Sequence, residues 1–394
     1  MKKLIVILVL AIFASVGISV TALELGLVDR KDANPTYLSY VEPEDGSTPY
    51  FVKKYVDTDE ISDEPLKVIT FTDTHIGNGK EASDVISLTI IDRVIKEKQP
   101  DLVVITGDVC LGSEALSGVD ALAKVFETNK TYWAVVLGNH DAEAENGPTR
   151  EELIRYYEAK PYSLTKEGPI DQGEGNYMIN HVTTKGVTHT LVFIDSGAYV
   201  TPETCAQYGY KYVGGYDFVK PEQMEWYTQT LTEIKESNGG VMPESTMFMH
   251  IPVVEHHYID NNAYLYGAKL EPSCPSDINS GLFNCVKELG STKTMVCGHD
   301  HVNNYAVMYE GIKLMYSQSS SFGSYNSREN AFAIIVKSKD PSFMFADGHT
   351  EFNVGADGKM IDTPCYNDQN LHLFEGLEEY FIANGTPYPS ELKD

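Results

Sequence analysis

LKVITFTDTH, residues 66–75, is the stretch on which the fold reading turns. It is a short, β-branched apolar run that stops on Asp73-Thr74-His75. The same design returns in DLVVITGD (101–108) and YWAVVLGNHD (132–141). Short apolar runs bounded by Gly or Asp predict buried parallel strands. Between them, Val85, Leu88, Ile91, Val94 and Ile95 recur at helical spacing, with Ser83 as the expected N-cap and Pro100 as the stop. SGVDALAKVFETN (117–129) is a shorter helix of the same kind.

The pattern continues outward from these elements. TLVFIDS (190–196), TMFMH (246–250) and TMVCG (294–298) read as strands, and residues 221–238 as a helix opened by Pro221. A further helix lies around Leu282 to Leu289, and short strands follow Tyr305. Strands alternating with helices imply an α/β domain with a mostly parallel sheet, which binds ligands beyond its strand ends.

Residues 66–337 therefore read as the domain. Residues 1–22 pair two lysines with an apolar run and a small-residue end, the layout of a secretory signal; an uncleaved membrane anchor is the alternative. Residues 23–65 read as an extension ahead of the domain and 338–394 as a C-terminal extension. The body is expected to be secreted or held in a vesicular, lysosome-like lumen, with no stable membrane insertion once the signal is cleaved.

Lys and Arg number 30 against 57 Asp and Glu, a formal charge of -27. Such a surface repels nucleic acid and anionic lipid, whose binding needs clustered cations. A phosphate substrate meets the same repulsion, so a strongly positive local centre is needed. Of the six cysteines, Cys110 and Cys297 read as buried thiols, and the other four can pair.

Five motifs end five predicted strands: Asp73-Thr74-His75, Gly107-Asp108, Gly138-Asn139-His140-Asp141, His250, and Gly298-His299-Asp300-His301. Each offers a metal-ligand side chain. In extended backbone, residues two apart share a face, so Asp73 with His75, and His299 with His301, could each present two ligands together. Gly107, Gly138 and Gly298 precede ligand positions, where close backbone approach favours a residue without Cβ. This mixed oxygen and nitrogen set suits two borderline metals.

These motifs resemble the calcineurin-like metallophosphoesterase superfamily. HIPVVEHHY (250–258), GHDHVNNY (298–305) and GIKLMYSQSSSFGSYNSR (311–328) are most similar to the fungal and plant branch filed with the purple acid phosphatases. The resemblance implies a four-layer α/β/β/α sandwich with a dinuclear metal site at the strand ends. Asp73, His75 and His301 would hold one metal, Asn139, His250 and His299 the second, and Asp108 would bridge them. It further implies a metal-bridging hydroxide as nucleophile, with His140 protonating the leaving oxygen.

The purple enzymes carry a tyrosine three residues after the bridging aspartate. Here that position is Leu111, so a colourless enzyme is expected, with iron, zinc or manganese as the metal. Asp141 and Asp300 are candidates for orienting ligands, and His256, His257, Tyr258 and Arg328 for meeting the substrate. His181, His189, His349 and His372 read as structural.

The resulting expectation is an exported phosphatase acting on small phosphomonoesters or phosphoproteins. Phosphodiester or nucleotide pyrophosphate cleavage on the same site is the alternative, and a catalytically silent metal-binding scaffold is the alternative of another class.

Overall fold

The computed structural model describes residues 35–324 and 349–363, apart from positions 78, 213, 260–263, 268 and 323. The expected signal segment, Arg328, Cys365 and His372 lie outside these residues. No helix among the described residues is long and apolar enough to cross a membrane.

The chain opens with β1 (Thr36–Val41), β2 (Tyr50–Tyr55) and β3 (Leu66–Phe71), followed by α1 (Ala82–Lys98), β4 (Leu102–Thr106), α2 (Ala115–Asn129), β5 (Tyr132–Val136) and α3 (Arg150–Glu158). Next come β6 (Tyr177–Thr183), β7 (Gly186–Phe193), α4 (Pro202–Gln207), α5 (Pro221–Ser237), β8 (Glu244–Phe248) and a 3-10 turn at Val254–Tyr258. The remainder is β9 (Tyr264–Tyr266), α6 (Leu282–Leu289), β10 (Thr292–Cys297), β11 (Ala306–Tyr309), β12 (Ile312–Tyr316), β13 (Thr350–Val354) and β14 (Met360–Thr363).

These strands form two sheets, as the resemblance implies. The smaller runs β14-β13-β3-β4-β5, and the larger runs β1-β2-β6-β7-β8-β10-β12-β11-β9. The motif-bearing strands β3, β4 and β5 are parallel neighbours, as are β7, β8, β10 and β12.

Side-chain alternation explains the stacking. On the smaller sheet, Ile69, Phe71, Val103, Ile105, Trp133 and Val135 pack under α1, α2 and α3. Their neighbours Val68, Leu102, Val104, Ala134 and Val136 turn the other way, meeting Leu191, Phe193, Phe248, Val296 and Met315 of the larger sheet. That sheet's opposite face, with Val192, Met247, Met295 and Leu314, packs on Tyr227 and Leu231 of α5 and Phe283 of α6. The result is the α/β/β/α sandwich. Strands apolar on both faces are required because each sheet is covered on both sides.

The segment expected ahead of the domain departs from that expectation. β1 and β2 lie within the larger sheet, with β2 parallel to β6, and Phe51 is fully buried between the sheets. Likewise β13, from the expected C-terminal extension, pairs antiparallel with β3 along its whole length. Their short apolar stretches carry too little periodicity to show this; burial against distant strands supplies it.

Helix α1 starts at Ala82 with Glu81 as N-cap, ahead of the Ser83 expected. Asp84 is drawn back to accept hydrogen bonds from Gly77 and Gly79 N–H. The described cysteines are free thiols, with Cys110, Cys205 and Cys297 buried, Cys285 half-buried and Cys274 exposed.

Candidate metal centre

The parallel strands β3 and β4 leave the small sheet together. Asp73 N–H donates to Gly107 O at 3.0 Å and His75 N–H to Asp108 O at 3.0 Å, so the loops that carry the ligands are stitched to each other. Asp73, His75, Asp108 and His299 have φ of 49°, 45°, 49° and 78°. Expectation and structure differ here. Asp73 and His75 do face one pocket, but from left-handed backbone beyond the strand end, not from extended chain. Such conformations cost non-glycine residues about 1–3 kcal/mol each and persist where surrounding contacts over-determine them.

The glycines before the ligands are required by close approach. A Cβ on Gly138 would stand 2.1 Å from Asp108 Oδ1, one on Gly298 2.7 Å from Asp73 Oδ2, and one on Gly107 2.5 Å from His250 Nδ1.

All seven expected ligands converge, and all are buried. One group contains Asp73, His75, Asp108 and His301, and a second Asp108, His250 and His299; in each, the ligand atoms lie within 4.8 Å of one another. Asp108 is common to both. His75 Nε2 stands 3.2 Å from His301 Nε2 and 3.8 Å from Asp108 Oδ2. His250 Nε2 lies 3.2 Å from Asp108 Oδ2 and 3.1 Å from Asn139 Oδ1, bringing Asn139 into the second group.

The donors fit a pair of cations. Asp73 Oδ1 and Asp108 Oδ2 are buried with no hydrogen bond among the described residues, an arrangement that is costly unless something positive sits against them. Their other oxygens are used: Asp73 Oδ2 accepts from Thr72 Oγ1 at 2.7 Å and His299 N–H at 3.0 Å, and Asp108 Oδ1 accepts from His140 N–H at 2.8 Å. Thr106 O accepts a hydrogen bond from His250 Nδ1–H at 2.8 Å, which leaves Nε2 as the atom facing inward.

At His75 and His299 the electrostatics suit ligation, which needs a neutral ring. Burial pushes His75 down to about 4 and His299 down to about 3, keeping both imidazoles neutral. Burial also acts against charge on His250, yet Asp108 and then Asp73 outweigh it and lift this group to about 10. Burial alone would raise Asp73 and Asp108; His301 and His250 dominate at Asp73, and His250 at Asp108, so both stay ionised. A cation and the His250 proton therefore compete for one lone pair.

Asp141 is a brace rather than a ligand. Its carboxylate accepts from Val109 N–H (2.8 Å), Cys110 N–H (3.0 Å) and Gly138 N–H (2.7 Å), joining the exits of β4 and β5. Burial, then the charge of Asp108, lifts it to about 6. Asp300 accepts from Tyr316 Oη at 2.5 Å and Cys274 N–H at 3.1 Å. Leu111 is exposed and stands apart from the cluster's buried core.

His140 sits at the mouth, its side chain 32% exposed and its Nδ1 2.6 Å from Glu143 Oε2. Its ring centroid is 5.6 Å from that of His75. His256, expected at the substrate, is instead turned into the core: it is 1% exposed, with Nδ1 2.8 Å from Tyr305 Oη. His257 and Tyr258 are exposed on the same 3-10 turn.

Three contributors were not legible beforehand. Arg150, at the start of α3, donates to Gly138 O and to Asp195 Oδ1, both at 2.5 Å, and so holds the Asn139-bearing loop. Tyr199 Oη accepts from Asn139 Nδ2 at 3.1 Å, fixing which amide atom faces His250. Tyr216 packs edge-on against His299 with centroids 4.3 Å apart. No local pattern marks any of the three, since each acts through a loop folded back from elsewhere.

With this geometry in place, the calcineurin-like phosphoesterase domain matches residues 66–303, more than half of the chain. The chain belongs to the calcineurin-like phosphoesterase family. Among relatives, it is 29% identical over 301 residues to a protein of Arabidopsis thaliana named probable inactive purple acid phosphatase 14, covering 67% of this chain and 72% of that one. It is 28% identical over 315 residues to phosphatase DCR2 of Saccharomyces cerevisiae, covering 72% of this chain and 52% of the yeast protein. Among solved structures, a dimetal phosphatase from Danio rerio superposes with a TM-score of 0.51 at 12% identity, over 77% of this chain and 97% of the other. That likeness is one of fold, and it agrees with the calcineurin-like sandwich described above.

Proposed function

We propose that this calcineurin-like phosphoesterase is an active, metal-dependent phosphomonoester hydrolase, exported by residues 1–22. The observation that carries the reading is Asp108 Oδ2, buried between His75 Nε2 and His250 Nε2 with no hydrogen bond among the described residues. A shared carboxylate flanked by two histidine groups is what a bridged cation pair needs.

Asp73, His75 and His301 would hold one cation, and Asn139, His250 and His299 the other. Held there, the pair supplies Lewis acidity, neutralising phosphoryl oxygens and acidifying a water. His140, half-open at the mouth and braced by Glu143, donates a proton to the leaving oxygen. The acidic surface speaks against polynucleotide substrates and for small phosphate esters or exposed phosphorylated side chains. Iron, zinc and manganese all suit the ligand set.

The plant relative's name describes that protein as inactive, and the yeast relative's name describes a phosphatase. Completeness of the ligand set together with His140 supports activity in this chain. The test compares p-nitrophenyl phosphate with its bis ester, using protein reconstituted with Mn, Zn or Fe and the Asp108→Asn variant. Turnover of the monoester that is lost on chelation and in the variant is expected. A preference for the diester would replace the substrate class, and metal binding without turnover would leave a silent scaffold.

A further inference from the structure

The two stretches that flank α4, residues 197–200 and 214–217, fold back on each other beside the candidate metal centre. Val200 N–H donates to Gly215 O at 3.1 Å and Asp217 N–H to Ala198 O at 3.0 Å, which makes Tyr199 and Tyr216 directly opposed partners in a short antiparallel bridge. In such a pair the backbone bonds are made by the flanking residues, so the two side chains lie close together. Gly197 permits the tight return: its φ is +79°, and a Cβ there would meet the Asp217 carboxylate at 2.5 Å.

The two rings stack, with centroids 5.7 Å apart and planes 26° from parallel. Tyr216 is anchored edge-on to His299, and Tyr199 Oη is tied to Asn139, so both rings are fixed to ligands of the second group. Yet Tyr199 remains 46% exposed. A large aromatic held rigidly by a buried amide while keeping nearly half its surface open is ready to be covered by something flat. Tyr210 and Tyr212, between the two stretches, are also exposed, at 37% and 50%.

We propose that Tyr199, backed by Tyr216, is a specificity-determining aromatic subsite that receives the leaving group of aryl phosphate monoesters. This rests on the phosphomonoesterase reading and names its substrate class. Because Tyr199 is tied to Asn139 of the second group, a phosphate ester bound at that group would have this ring beside its leaving group. A planar substituent then lies against the Tyr199 ring in offset or edge-on contact. An alkyl substituent gains far less from that surface.

The experiment separates the ring from its hydroxyl. For wild type, Tyr199→Phe and Tyr199→Leu, kcat/KM is measured with phenyl phosphate and with glycerol 2-phosphate. The ratio of the two, variant against wild type, cancels the intrinsic reactivity of each ester. Loss of the Asn139 hydrogen bond acts on both substrates alike, so the ratio isolates the ring. Tyr199→Leu is expected to lower it about five-fold, and Tyr199→Phe to leave it within two-fold.

Affinity of the metal-loaded protein for phenylphosphonate and methylphosphonate, by calorimetry, supplies a readout that needs no turnover. The wild type should bind the phenyl compound more tightly, and Tyr199→Leu should erase the difference while its melting temperature shows that it is folded. An unchanged ratio and an unchanged phosphonate preference in Tyr199→Leu would overturn the subsite. Absence of turnover with the preference intact would instead count against the hydrolase reading alone.

Discussion

Gly138 packs so tightly on Asp108 that an added Cβ would lie 2.1 Å from Oδ1 and 2.3 Å from the backbone nitrogen. The carboxylate shared by the two ligand groups is thus held in place by a neighbouring strand end that has no side chain at all. Gly138→Ala should push Asp108 aside, lower stability by about 1–3 kcal/mol as overpacked sites do, and reduce bound metal per chain. Chemical denaturation together with elemental analysis reads both quantities. Full metal content in the variant would show that the carboxylate has room to move.

His140 and Glu143 form the only described contact of a ligand-loop imidazole with a carboxylate at the mouth rather than in the buried cluster. His140→Ala should lower kcat by about 10²–10⁴-fold, the usual share of a proton donor, with metal content unchanged. Glu143→Gln should cost less, because the amide oxygen can still hold Nδ1. Metal loss in His140→Ala would instead assign the ring to structure.

Three histidines away from the metal centre make stability depend on pH. Burial pushes His181 and His189 down to about 4 and His256 down to about 3, each from 6.5. Each folded-state value lies below the unfolded one, so the unfolded chain binds more protons between them. Their stabilising contribution is complete above pH 6.5 and is lost as pH falls towards 4, at about 1.4 kcal/mol per pH unit for each group. Neither ring nitrogen of His181 has a hydrogen-bond partner among the described residues, so His181→Phe should keep stability near pH 7 and make the acid loss shallower. Urea midpoints measured from pH 7 to 4.5 test this; an identical slope in the variant would refute it.

Removing residues 1–57 should destabilise the domain, although the family match begins only at residue 66. The truncation bares the β6 edge that pairs with β2 and deletes Phe51, which is fully buried between the sheets. Losing a buried phenylalanine alone costs about 3–5 kcal/mol, so a drop of at least that size in unfolding free energy is expected. A truncated chain as stable as the full one would show that β1 and β2 are dispensable.

Much of the site was legible in the sequence because its chemistry is local. Asp73, His75, Asp108, Asn139, His250, His299 and His301 each follow a short apolar run, and ligand type with strand-end position is enough to nominate them. Their glycine neighbours were legible for the same reason. The left-handed φ values at Asp73, His75, Asp108 and His299 were not, because hydrogen bonds between separate strand exits impose them.

The chain by itself determined which strands are buried and where along it metal-binding atoms occur, since hydrophobic runs and donor chemistry are properties of neighbouring residues. Only the tertiary structure decided which residues of those runs face the helices and which the second sheet, and that β1, β2 and β13 complete the sheets. It also decided that His256 turns into the core while Tyr199 and Tyr216 stand at the mouth. An apolar run looks the same whether a helix or a sheet covers it, and a ring's position depends on the remote backbone against which its loop closes.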